Sequence, residues 1–382
     1  MTPIFPRVIH VAPRVQAQGG IESILALHRQ LPQRQAFVAL FDRNPRAEAG
    51  YVNLNLNWRT PLWEMRRRFS RAMAPLAGGL VVYHNGWGMP LFHDLDGASR
   101  RLLFLHASPA YHAKDLPTFA GLVDGVIGVT PALVDAWNAR LPELTAERGL
   151  VVRGPIVLPA LPVSTLRRNE PLVLGYAGRI ERTQKRLDRL PALLRELQAT
   201  GLPFRFEVLG EGGWRSELEK RVAGQVRFHG WKTKADYWRI LAGWDAIVFF
   251  SDFEGGALAV FEVMAMGGLP FFPAIGGSWS DVYAPQVDPR CHYPPGDMRA
   301  LAAAIRDVFS LNAEQIAPLR RKACALVEGH RLDAYETACR MFMNTIADAP
   351  RISAVRRRSR RITDLLPLGL ATRLAPWALR RG

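Results

Sequence analysis

The chain has 382 residues, 48% of them apolar and 22% charged, a globular composition too long for one ordinary core and suited to two domains. No apolar run reaches the roughly 18 to 20 residues that span a membrane. Three cysteines without CxxC spacing (Cys291, Cys324, Cys339) argue against a disulfide frame or a zinc site, and for reduced thiols in a cytoplasmic protein. The net charge of +16 points to an anionic partner, and half of it lies between Arg351 and Gly382, where nine arginines face the single acid Asp364.

In chain order, MTPIFPRVIHVAPRV carries Arg7 where a signal peptide would be apolar, and reads as a first strand. VIHVA (8–12) precedes the pair Gly19-Gly20 and then IESILALHRQL, apolar at helical spacing. AFVALF (36–41), GLVVYH (79–84), RLLFLHA (101–107) and DGVIGVT (124–130) are short and β-branched or aromatic, as buried strands are. Residues 153–171 are proline-rich without helical period and read as a linker. A second series follows: strand LVLGYAG (172–178), helix RLDRLPALLRELQAT, strand RFEVLG (205–210), helix WRSELEKRVA, strand VRFHG, helix KADYWRILAG, strand AIVFFS (246–251), helix ALAVFEVMAMG and strand LPFFPA. Such alternation is expected to give α/β architecture, with parallel, doubly wound sheets in two Rossmann-like halves and a ligand cleft between them.

The segment FEGGALAVFEVMAMGGLP (253–270) places Glu254 and Glu262 in an otherwise glycine and apolar stretch. Unpaired carboxylates are costly to bury. A glycine turn at a helix N-terminus offers free amides to a phosphate, and a carboxylate can accept from the vicinal hydroxyls of a sugar or ribose. A loop acid and a salt-bridged helix acid would look the same. YAGRIERTQKRLD supplies Arg179 and Lys185, which suit a diphosphate; a solvated basic surface is the alternative.

The order GR-x5-K, LGEGG, VRFHGW, EG-x6-E, AMGGLPFF, IGG resembles the nucleotide-sugar half of a GT-B glycosyltransferase, and is most similar to the retaining family 4 (glycosyl transferases group 1). The resemblance covers about residues 7–345 and is strongest over 172–285. It implies two Rossmann-like domains facing each other across a cleft, here 1–160 for the acceptor and 161–345 for the nucleotide sugar, with a basic tail over 346–382. Glu254 and Glu262 match the family's EX7E pair, and Arg179 and Lys185 its diphosphate-gripping pair. Gly19 and Gly20 resemble its glycine loop, and His106 falls where it places a histidine near the transferred sugar. In this reading Glu254, Arg179, Lys185 and His106 are catalytic. Gly19, Gly20, Gly230, Trp231, Gly255, Gly256, Ala257, Leu258 and Glu262 bind the donor, with the base beside His229-Gly230-Trp231. The resemblance also implies transfer with retention, no metal and no cofactor beyond the nucleotide-sugar donor. Two positions depart from the family: Ala257 stands for a usual glycine and Ser280 for a frequent acid.

WRTPLWEMRRRFSRAMAPL (58–76) would put Leu62, Met65, Phe69 and Met73 on one helical face and Arg66, Arg67, Arg68 and Arg71 around the rest. It suits either an anionic membrane surface or ordinary packing on the first domain. The tail 351–382 is similar in character, attached to a membrane or disordered. These segments favour a glycan or lipid-linked acceptor, handled at the inner face of a membrane. His84 is a strand-end histidine, either facing the acceptor or satisfied by backbone. A non-catalytic nucleotide- or glycan-binding protein on a degenerate scaffold is the alternative function. A nucleic-acid partner is not expected, for lack of any signature motif, and a sugar epimerase would need further acids that the sequence does not reveal.

Overall fold

Strands separated by helix-length segments return to the same edge of a sheet and therefore pair in parallel. The computed structural model describes residues 7–15, 21–29, 34–42, 49–106, 119–139, 146–157, 171–232, 234–353 and 362–370, and every pair of named strands in it is parallel. The chain forms two compact units, Met1–Val152 with Glu336–Gly382, and Arg153–Tyr335.

The first unit holds seven strands, β1 (Val8–Ala12), β2 (Gln35–Ala39), β3 (Tyr51–Asn53), β4 (Leu80–His84), β5 (Arg100–Leu105), β6 (Gly125–Gly128) and β7 (Gly149–Val151), ordered β3-β2-β1-β4-β5-β6-β7. The winding reverses between β1 and β4. Helices α1 (Ile21–His28) and α2 (Leu62–Met73) belong to its crossovers. The second unit holds β8 (Leu172–Ala177), β9 (Phe204–Leu209), β10 (Val226–Gly230), β11 (Ala246–Val248), β12 (Leu269–Pro273) and β13 (His292–Tyr293), ordered β10-β9-β8-β11-β12-β13, and reverses between β8 and β11. Both sheets are thus doubly wound. β3, β7 and β13 have no counterpart in the sequence reading, because two or three residues on a sheet edge carry too little apolar pattern to register.

The apolar face of α2 answers one open question. Leu62, Met65, Phe69 and Met73 are all buried, with Phe69 stacked on Phe92 at 4.3 Å. Packing on the unit's own core, and not a membrane, accounts for that face. Three of the arginines around it are engaged, Arg66 with Asp94 at 2.7 Å, and Arg67 and Arg68 with Glu64 at 2.7 and 2.9 Å.

The C-terminal segment set apart by the sequence reading clusters with the first unit. Arg100 donates to the carbonyls of Ile346 and Ala347, and Arg148 to that of Pro350. Asp124 accepts from the amides of Ile352 and Ser353 and from the Ser353 hydroxyl. Further on, Pro61 bridges Pro367, while Leu368 and Gly369 donate to the carbonyls of Thr60 and Trp58. At the other boundary Ile156, expected in the linker, is buried and donates to the His330 carbonyl within the second unit. Residues 158–170, 354–361 and 371–382 of the expected linker and tail lie outside the described residues.

The second core is tied by a buried ion pair. Arg320 donates to Asp245 at 2.8 Å and to the Gly267 carbonyl, while Asp245 also accepts from the Val173 amide. Removing one member leaves the other charge buried without its counterion, at a cost of about 3–5 kcal/mol. Asp245→Ala is therefore expected to lower the urea midpoint of the second unit by that equivalent, and an Asp245/Arg320 double replacement by apolar residues to cost less than Asp245→Ala.

Candidate functional site

Parallel pairing brings the loops after β8 and β11 side by side, at the point where the winding of the second sheet reverses. Open α/β sheets bind ligands outside the carboxyl ends of their strands at such a point. Lys185, in the first of these loops, donates to Glu254, in the second, at 2.6 Å. The Lys185 side chain is 14% exposed and that of Glu254 only 3%. Glu254 also accepts from the Ser251 hydroxyl at 2.6 Å, and the Lys185 ammonium lies 5.4 Å from the centre of the Phe249 ring.

The two loops are tied at several further points. The Asp252 amide donates to the Gln184 carbonyl, the Gln184 side chain to the Phe253 carbonyl, and Arg186 and Arg189 pair with Asp252 at 2.6 and 2.7 Å. Arg179 does not join Lys185. It binds Glu181 at 3.1 Å and Gln184 at 2.9 Å and is half exposed. Gln184 links it to the Glu254 loop through the Phe253 carbonyl.

Beyond Glu254 the chain passes Gly255 and Gly256 and enters the helix Leu258–Ala265. No side chain caps that N-terminus; the Leu258 and Val260 amides bond to the Gly256 and Ala257 carbonyls, and the positive end of the helix dipole lies at the glycine turn. A Cβ on Gly256 would meet nothing within 4 Å, which leaves open space over the turn. Ala257 sits at an ordinary φ of −81° and is buried, so the departure from glycine introduces no strain there. Leu258 packs its side chain close to Gly154. Loop glycines act differently after β8 and β9: a Cβ on Gly210 would collide with the Gly178 carbonyl, and one on Gly212 with the Ile180 backbone.

Glu262 lies just over one turn into the helix and accepts a hydrogen bond from the Tyr237 hydroxyl. Burial pushes its carboxyl up to about 7, although the bond from Tyr237 pulls it down. Gly230 ends β10 in the left-handed region at φ +68°, and Trp231 beside it is exposed, while His229 is fixed to Glu207 at 2.9 Å. His106 belongs to the first unit, just past β5, and Gly19 and Gly20 lie outside the described residues. Gln184, Ser251, Asp252, Arg186 and Arg189 were not singled out from sequence, although all flank residues that were. Tyr237 had no local signal. Among the described residues, no group of three or more His, Cys, Asp or Glu is placed to hold a metal ion.

Residues 171–310, within the second unit, match the family model of glycosyl transferases group 1. No curated protein matches the sequence. Among solved structures the chain is similar to the lipopolysaccharide outer core galactosyltransferase WaaB in its apo form, at 17% identity and TM-score 0.65, with 88% of this chain and 99% of that one covered. It is similar to Anabaena HepE in complex with UDP and glucose (15% identity, TM-score 0.68, 88% and 99% covered). The pneumococcal O-GlcNAc transferase GtfA in complex with UDP and GlcNAc gives 12% identity and TM-score 0.64 over 90% and 100%. The fold is that of the GT-B glycosyltransferases, as the motif order implied.

The raised Glu262 group has a measurable consequence. Its folded value, about 7, exceeds the ordinary 4.5, so the folded chain holds a proton that the unfolded chain loses between these values. Its contribution to stability is complete below pH 4.5 and is lost as pH rises through 7, roughly 3 kcal/mol at most. Unfolding free energies measured from pH 4 to 8 are expected to fall across that window in the wild type, and Glu262→Gln to remove that component of the slope.

Proposed function

We propose that this protein is a retaining glycosyltransferase that moves a sugar from a nucleotide-sugar donor to a hydroxyl of a glycan or lipid-linked acceptor in cell-envelope polysaccharide assembly. The observation that carries the proposal is the partly buried Lys185–Glu254 pair beside the glycine-lined N-terminus, free of any side-chain cap, of the helix Leu258–Ala265. One end of such a site suits a diphosphate and the other a sugar. Glu254 accepts from hydroxyls of the transferred sugar. Lys185, Arg179 and the loop amides take up charge on the leaving diphosphate, the electrostatic part of catalysis. Glu262 accepts from the ribose hydroxyls as a carboxylate, which near neutral pH requires it to release its proton.

In the reaction, the bond between the anomeric carbon and the diphosphate oxygen breaks, and its electron pair leaves with the diphosphate. The acceptor oxygen bonds to the same face of that carbon, and the acceptor's proton passes to the departing phosphate oxygen. No protein nucleophile, metal or further cofactor takes part. The UDP bound in HepE and GtfA makes UDP-sugars the first donors to test. A ligand at 100 times its Kd stabilises the folded state by about 2.7 kcal/mol. In a thermal-shift panel of UDP-, GDP-, ADP- and TDP-sugars, one nucleotide class is expected to raise Tm, and Lys185→Ala and Glu262→Ala to abolish the rise. Product with the donor's anomeric configuration would establish retention. Stabilisation without transfer to any glycan or lipid-linked acceptor would favour the non-catalytic binding protein.

For the acceptor side, a membrane would meet the first unit where α2 begins, and not along its buried face. Trp58, Trp63, Leu365 and Leu370 are exposed there, because residues 366–369 pair with Trp58–Leu62. Arg59, Arg67 and Arg71 are exposed nearby in sequence, and aromatic rings beside arginines suit an anionic interface. The described residues contain no helix long and apolar enough to cross a membrane, so the attachment proposed is peripheral, at the cytoplasmic face. Binding to vesicles containing phosphatidylglycerol is expected to exceed binding to phosphatidylcholine alone, to weaken with salt, and to drop severalfold in Trp58→Ala/Trp63→Ala.

A further inference from the structure

The backbone beside Lys185 adopts a conformation that a side chain resists. Arg186 lies in the left-handed region, at φ +51° and ψ +41°. Three other described residues besides glycines have positive φ. Asn55 and Asn85 are asparagines, which tolerate that region, and Ala223 closes the helix Arg215–Val222. Arg186 ends no helix. It stands between the lysine of the candidate site and Leu187, which is fully buried and opens the short 3-10 turn Leu187–Arg189.

All three guanidinium nitrogens of Arg186 are engaged. Nε and Nη2 donate to the two oxygens of Asp188 at 3.0 Å each, and Nη1 donates to Asp252 at 2.6 Å. The other Asp252 oxygen pairs with Arg189 at 2.7 Å, and Arg189 also donates to the Phe250 carbonyl. The main chain adds two bonds of 3.0 Å, from the Leu187 amide to the Glu181 carbonyl and from the Asp252 amide to that of Gln184. The first closes residues 181–187 into a loop. The second hangs that loop on the segment after β11, within reach of Glu254.

An L-residue is strained in the left-handed region, because its Cβ crowds the carbonyl that follows, whereas glycine is at ease there. Partly exposed ion pairs hold little when taken singly. A planar fork bonded to two carboxylates fixes the guanidinium, and with it the main chain that carries it. Relaxation of Arg186 would redirect the chain on its amino side, where Lys185 reaches Glu254 at 2.6 Å. Glycine would fill this position with neither strain nor ion pairs. With arginine there, the placement of Lys185 is conditional on Asp188 and Asp252.

We infer that Arg186 and Asp252 are positioning residues of the donor site, their ion pair holding the strained turn that aims Lys185 at Glu254 and so at the diphosphate. This role rests on the reading of Lys185 as a diphosphate-binding group. Freed of the clamp, the turn opens as its strain dictates, and apparent affinity for the diphosphate falls by the fraction of molecules still competent to bind.

The test uses the full chain and reads the turn first without ligand, by hydrogen exchange of backbone amides. Arg186→Ala removes the clamp and keeps the Cβ. Exchange at Leu187 and Asp252 is then expected to quicken about tenfold, the equilibrium counterpart of a left-handed backbone penalty. Arg186→Gly removes the clamp equally but relieves the backbone, and both amides should stay protected. Asp252→Ala should match Arg186→Ala at the Leu187 amide, and should change little when added to Arg186→Gly. The second readout is the Kd of whichever of UDP, GDP, ADP or TDP binds most tightly. It should be about tenfold weaker in Arg186→Ala and near wild type in Arg186→Gly. A purely structural ion pair, or an arginine that meets the diphosphate itself, is lost equally in both variants. Equal loss of affinity in the two therefore overturns the inference. If Arg186→Ala matches the wild type in exchange and affinity while the wild type binds nucleotide, the clamp alone is refuted. If the wild type binds none of the four nucleoside diphosphates, the donor-site reading of Lys185 is what fails, and the proposed positioning role falls with it whatever the exchange shows.

Discussion

Parallel strand pairing is the constraint on which the rest of this molecule depends. A parallel strand cannot turn back on itself, so every connection crosses the sheet and each strand ends at the same edge as its neighbours. In the second unit this gathers the loops after β8 and β11, sixty-odd residues apart in sequence, where the winding reverses. Lys185 and Glu254 meet there because of the topology, and the contacts of Gln184, Arg186 and Arg189 keep them together. The first unit obeys the same constraint, and its reversal between β1 and β4 is where His10 meets His84.

Several buried charges in both units have been supplied with partners, and the partners differ in kind. Asp245 and Arg320 form an ion pair that also ties a strand start to a helix turn, and Asp96 binds Arg101 at 2.7 Å while accepting from Tyr83. These are structural, with their hydrogen bonds directed at the chain's own backbone and side chains. The Lys185–Glu254 pair is different, because it borders an uncapped helix end and open space above Gly256. An ion pair in that position holds two charges ready for a ligand of opposite pattern, at the cost of partly desolvating both. Glu262 is held differently: burial raises its carboxyl to about 7, and the bond from the Tyr237 hydroxyl opposes that shift.

The basic segments illustrate how composition alone misleads. An amphipathic pattern specifies that one face is buried but not in what, and for α2 the answer is the unit's own core. The exposed aromatics at its start became a surface feature only because residues 366–369 return to pair with Trp58–Leu62. Neither segment predicts that juxtaposition, since about three hundred residues separate them.

The sequence by itself determined the α/β class, most strand positions of the second unit, and the spaced motifs around Glu254, Glu262, Arg179 and Lys185. Those are local properties: strand periodicity, glycine turns and fixed spacing are written in adjacent residues. VRFHG coincides with β10 residue for residue, whereas AIVFFS outran β11 by three, because apolar burial continues past the last ladder bond. Only the tertiary structure decided that Arg179 binds Glu181 and Gln184 while Lys185 takes Glu254, that Tyr237 serves Glu262, and that the C-terminal residues belong with the first unit. It also set His84, the last residue of β4, between His10 and His106. Each of these is a choice of partner among groups far apart in sequence, and that choice is made by which strands lie side by side.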